Sequence, residues 1–120
     1  MSADARALSV VEVAARAAAD KKAEDLIALD VSERMPLADV FLLASGSNER
    51  QVVAIAEAIE DELLKQGVKA ERREGVREGR WALLDFNGVM VHVMHQEDRA
   101  YYELERLWKD CPVVDLPDNL

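Results

Sequence analysis

The dipeptide Asn87-Gly88, set between two apolar runs, constrains this chain more than any other feature. Both residues tolerate positive φ, so Asn-Gly in such a setting is the strongest short-range hairpin signal. The flanking runs, Trp81 to Phe86 and Val89 to Met94, are therefore expected to be antiparallel strands. A two-residue turn pairs Phe86 with Val89, Leu84 with Val91 and Ala82 with Val93. Side chains alternate along a strand, so these residues share one face. That face is wholly apolar and has to be core. The opposite face carries Trp81, Leu83, Asp85, Met90, His92 and Met94. Its mixture of Trp, Met, His and one carboxylate fits the anchors of a protein interface. It fits equally a second core layer under a helix, with Asp85 and His92 satisfied by local hydrogen bonds.

The remaining elements fall around this hairpin. Leu8, Val11, Ala14, Ala15 and Ala18 recur at helical intervals, and Ser9 with Glu12 has capping-box spacing. The small residues of that stripe predict close helix packing. Asp25 to Val31 reads as a strand, followed by a loop containing Pro36. Val40 to Ala44 is a short continuous apolar run, suited to a strand buried on both faces. Ser45-Gly46-Ser47-Asn48 turns the chain into a long helix with the stripe Val52, Ile55, Ala56, Ile59 and Leu63, ended by Gly67. Lys69 to Arg73 is a weak strand candidate. A last helix is expected from about Asp98 to Lys109, with Tyr101, Leu104 and Trp108 on one face. The order is helix, two strands, helix, three strands, helix. It predicts an α/β fold with helices packed on a mixed five-stranded sheet. A chain of 120 residues suits one domain, with a loose tail from about residue 111, where Pro112 and Pro117 stand.

Charge and residue usage exclude several functions. The chain carries 24 acidic and 15 basic residues, a net charge of −9. Faces that neutralise nucleic-acid phosphates are basic, so a basic protein patch is the better expected partner. Lys69 to Arg80 is locally basic, which suits a solvated edge strand and loop, or a minor contact to RNA. Cys111 is alone, so neither an internal disulfide nor a thiolate metal cluster is expected, and a lone thiol suits the cytoplasm. Ser2-Ala3-Asp4-Ala5-Arg6 shows no targeting leader, and no apolar run reaches the roughly 20 residues of a membrane span. His92 and His95, three apart on a strand, should point to opposite faces and share no metal. The Ser45-Gly46-Ser47 turn could hold an anion at the helix start, beside Arg50, or simply cap the helix through Ser47 or Asn48. It has neither the Walker pattern nor the three-glycine fingerprint, and no Asp-x-Asp pair follows it to hold magnesium. No cofactor, no metal and no catalysis are expected.

Four segments together resemble the RsfS/Iojap family of ribosomal silencing factors. Asp39-Val40-Phe41-Leu42-Leu43-Ala44-Ser45-Gly46-Ser47 with Arg50-Gln51-Val52 is similar to its first signature. Gly75, Gly79-Arg80-Trp81 and Leu83-Leu84-Asp85-Phe86 resemble the second. Val91-His92-Val93-Met94 resembles the third and Tyr102-Glu103-Leu104-Glu105-Arg106-Leu107-Trp108 the fourth. Met94 departs from the aromatic residue of many members, and the tail Asp110 to Val114 is similar to actinobacterial ones. The resemblance implies a nucleotidyltransferase-like fold without catalysis. It further implies binding to ribosomal protein uL-fourteen of the large subunit, which blocks subunit joining and represses translation when nutrients fall. Carried onto this sequence, the expected contact residues are Trp81, Asp85, His92, Met94, Arg99 and Tyr102. Two alternatives stand beside this reading. One is a residual nucleotidyltransferase that grips phosphate with Gly46 and Ser47 and metal with Asp39 and Asp85. The other is a homodimeric interaction module with no ribosomal role.

Overall fold

The computed structural model describes residues 4–120. The expected reading of Ser2 and Ala3 therefore lies outside the described residues. Helix α1 (Ala5–Asp20) starts earlier than the Ser9 signal suggests, because the Asp4 side chain accepts the Ala7 N–H and caps it. Leu8, expected in the apolar stripe, is exposed, while Val10, Val11 and five alanines are buried. Strands β1 (Glu24–Asp30) and β2 (Val40–Gly46) follow, and every residue of β2 is buried. Helix α2 (Glu49–Lys65) is capped by Asn48 and ends before Gly67, whose φ is +78°. Strand β3 (Arg72–Glu74) is shorter and later than Lys69 to Arg73 suggested. Strands β4 (Trp81–Phe86) and β5 (Val89–His95) form the hairpin in the expected register, with positive φ at both Asn87 and Gly88.

Two expectations are corrected after β5. The last helix is not continuous: α3 (Gln96–Tyr102) and α4 (Leu104–Leu107) are separated by Glu103, at φ 46° and ψ 52°. Neither glycine nor proline marks that break. The break rotates Tyr101 out of the apolar stripe, and it is 80% exposed. The segment past residue 111 is not merely loose either. Cys111 is buried, and Val113–Val114 form β6, paired antiparallel with β1. Among the described residues the sheet thus has six strands rather than five, in the order β3-β4-β5-β2-β1-β6. β2 and β5 are parallel neighbours at its centre, and the other pairings are antiparallel.

The two faces of this mixed sheet are covered unequally. Helices α1 and α2 pack on the first, over Val40, Leu42, Ala44, Ala82, Leu84, Phe86, Val89, Val91 and Val93. A second cluster on the other face joins Leu29, Val31, Ala38, Phe41, Leu43 and Cys111, with Leu104 and Trp108 packed against it. Leu84 is wholly buried in the first cluster. Leu84→Ala is expected to cost about 2–5 kcal/mol in a denaturant melt. A loss within ~0.5 kcal/mol of zero would contradict this packing.

Candidate functional site

The second face ends in an open patch, and the strand registers show why. Phe41 pairs with Met90, Leu43 with His92, and Ser45 with Met94. Those β5 residues pair onward with Asp85, Leu83 and Trp81. Three rows of side chains therefore cross the sheet from β2 to β4. The C-terminal segment seats Trp108 edge-on against Phe41, ring centroids 5.2 Å apart, and Arg34 lies over the Trp108 ring. That cover buries the β2 residues and most of β5. It covers β4 only in part, leaving Trp81, Leu83 and Asp85 half-buried together with Met90 of β5, and Tyr102 half-exposed at the rim.

The expected contact residues separate into three groups here. Trp81, His92 and Tyr102 come together. The Trp81 Nε1–H donates to His92 Nδ1 at 3.1 Å. The Tyr102 ring lies 5.0 Å from that of Trp81, and Tyr101 stands edge-on beyond it. Asp85 shares the face and lies 3.6 Å from Arg72 on the neighbouring strand. Met94 and Arg99 do not belong to the surface. Met94 has no exposed area. The buried Arg99 donates from Nη1 to Ser45 Oγ at 2.8 Å and from Nε to Glu105 Oε2 at 3.0 Å. It is a strut between α3, α4 and the end of β2. Leu83 and Met90, in the neighbouring rows, are half-buried instead.

His92 is the polar centre of the patch. Its ring lies between Phe41, 5.0 Å away, and Trp81. Burial pushes its pKa down from the ordinary 6.5 to about 4. A neutral ring that accepts at Nδ1 carries its proton on Nε2. His95 also uses Nδ1 as an acceptor, receiving the Glu97 N–H at the start of α3.

Several supports had no sequence signal of their own. Arg80 reaches Asp98 at 2.5 Å, Glu97 at 3.2 Å and Glu49 at 3.1 Å, tying the starts of α2 and α3 to β4. These carboxylates, Asp98 foremost, raise the Arg80 pKa further above its ordinary value. Gln51 accepts from both the Ser47 N–H and Oγ–H and donates to the carbonyls of Lys21 and Lys22. The Ser47 turn is thus a joint between α1 and α2. Asn48, one of the two expected caps, caps α2 by accepting the Gln51 N–H. Among the described residues, no group of three or more His, Cys, Asp or Glu is placed to hold a metal ion. No helix among them is long and apolar enough to cross a membrane.

An aromatic patch thus lies open on the second face of the sheet, next to the Arg80 ion pairs. The family model described as "Ribosomal silencing factor during starvation", RsfS, matches residues 4–120. Ribosomal silencing factor RsfS of Bacillus subtilis is 44% identical, over 90% of this chain and 92% of its own length. The chloroplastic protein Iojap of Zea mays is 31% identical over 95% of this chain and 50% of its own. A crystal structure from Bacillus halodurans, 40% identical, superposes with a TM-score of 0.81 over 91% of this chain and 99% of that one. The chain belongs to the RsfS family of ribosomal silencing factors, which are regulatory proteins rather than enzymes.

The depressed His92 pKa has a thermodynamic consequence. The folded state binds fewer protons than the unfolded one, so this contribution to stability is fully present above pH 6.5. It is lost as pH falls from about 6.5 through about 4. Its full size is roughly 3 kcal/mol. His92→Phe should flatten this part of the stability curve in melts between those pH values. Identical slopes for the variant and the original chain would refute the assignment.

Proposed function

We propose that this chain silences ribosomes by docking its open patch on ribosomal protein uL-fourteen of the large subunit. Seated there, it blocks association with the small subunit and represses translation when nutrients are limiting. The observation that carries the reading is the half-buried cluster of Trp81, Leu83, Asp85 and Met90, with Tyr102 at its rim. An aromatic anchor with adaptable Met beside it is the composition of an interface centre. A net charge of −9 favours a basic protein surface and speeds the encounter. Lys69 and Arg77 are exposed and could add a minor contact to ribosomal RNA, whereas Arg72, Arg73 and Arg80 are matched by carboxylates. A cytoplasmic chain folded as one domain over 1–120 accords with this role.

The nucleotidyltransferase relation, in this reading, is one of fold alone. Asp85 faces Arg72 instead of a second carboxylate, which argues against a metal site there. A second copy of the chain is the competing occupant of the patch, and a homodimer formed this way would exclude the ribosome.

Co-sedimentation decides between them. The protein should pellet with free large subunits and not with small ones. Equal association with both, or with neither, would sink the proposal. Trp81→Ala should weaken large-subunit binding more than tenfold, a loss of about 2 kcal/mol or more, with the fold retained. Should Trp81→Ala instead lose as much stability as Leu84→Ala and keep its affinity, Trp81 is core and the contact lies elsewhere.

A further inference from the structure

The Trp81–His92 hydrogen bond leaves one polar atom unaccounted for. With Nδ1 accepting from Trp81, the His92 proton sits on Nε2. Among the described residues, Nε2 is buried and has no hydrogen-bond partner. Buried donors without acceptors are rare in folded proteins, because each carries its full desolvation cost. Nε2 is at the distal end of the ring, away from the sheet backbone. Neighbouring side chains of the patch can shift. Met90 is unbranched and half-buried, Leu83 is half-buried opposite His92 on β4, and Tyr102 is half-exposed.

We infer that His92 Nε2–H is the specificity-determining donor of the docking patch, completed only when the partner brings a neutral oxygen acceptor, a main-chain carbonyl, onto it. The inference rests on the docking reading above and adds the chemistry that the partner must present. A carboxylate is the wrong acceptor, because the chain is strongly acidic and the site is walled by Phe41 and Trp81. A carbonyl from the backbone of a basic protein meets both conditions. It also explains why the position is a histidine. Phe would fill the same space, but only a ring with two nitrogens can accept from Trp81 and donate outward at once. The Trp81 bond therefore does two things: it positions the indole, and it selects the tautomer that points the proton at the partner.

The test uses the full chain and purified large ribosomal subunits. Nitrogen-15 spectra of the free protein should show His92 protonated at Nε2, and a proton on Nδ1 would overturn the inference without any variant. In co-sedimentation titrations His92→Phe should bind about tenfold more weakly per folded molecule. His92→Gln, which keeps an acceptor and a donor, should retain more of the affinity than His92→Phe. His92→Met replaces His92→Phe if thermal melts show the latter unfolded. Unchanged affinity of a folded apolar variant, with the original chain still binding, overturns this inference alone. Failure of the original chain to bind overturns the docking reading and this inference with it.

Discussion

The parallel pairing of β2 with β5 at the centre of the sheet is the constraint on which the rest depends. Every residue of β2 is buried, from Val40 to Gly46. A strand of that kind needs cover on both faces, and parallel neighbours need a long crossover. Helix α2 supplies the crossover, and with α1 it covers the first face. Their mutual approach relies on Ala14, Ala15 and Ala18, all without exposed area. Gly46 serves the same end, since a Cβ there would stand 3.0 Å from Val52 atoms at the start of α2. The second face has only a short C-terminal segment available, and on β4 that segment reaches Trp81, through the Tyr102 ring, without fully covering the strand.

How the cover is held explains its irregular shape. Arg99 and Glu105 are six residues apart and form an ion pair. On a continuous helix that spacing sets side chains roughly 240° apart, so they could not meet. The left-handed Glu103 turns the chain so that they do. The same turn lays Trp108 against Phe41 and sends Tyr101 outward. A non-glycine residue in this conformation costs roughly 1–2 kcal/mol, offset here by the buried Arg99 hydrogen bonds and the aromatic contact. The second fastening is Arg80, whose three carboxylates hold α2 and α3 against the start of β4. Trp81 is the next residue, so the ion-pair network fixes the backbone from which the patch's largest side chain projects.

Incomplete cover and function are thus two aspects of one arrangement. Extending the C-terminal segment further across β4 and the start of β5 would bury Trp81, Leu83 and Met90, and would remove the surface proposed to meet the ribosome. The edge beyond it is only three residues long and charged, with Arg72, Arg73 and Glu74. Such a short, charged edge resists unspecific strand pairing.

The sequence by itself determined the elements whose signals are local. Asn87-Gly88 fixed the hairpin and its register, and alternation then fixed which residues of β4 and β5 are core. The apolar run at Val40 marked a strand buried on both sides, and the motifs of four segments marked the family. Local signals could also name the face bearing Trp81, Asp85 and His92, because period two assigns faces without any knowledge of neighbours. They could not say how far that face is covered. Exposure depends on where a distant segment comes to lie, so the sequence motifs suggest Met94 and Arg99 as contacts while the fold buries both. The break at Glu103 and the pairing of β6 with β1 were hidden for the same reason. A helix bends there, and a tail becomes a strand, only because the sheet is already present to supply Ser45, Phe41 and an open β1 edge.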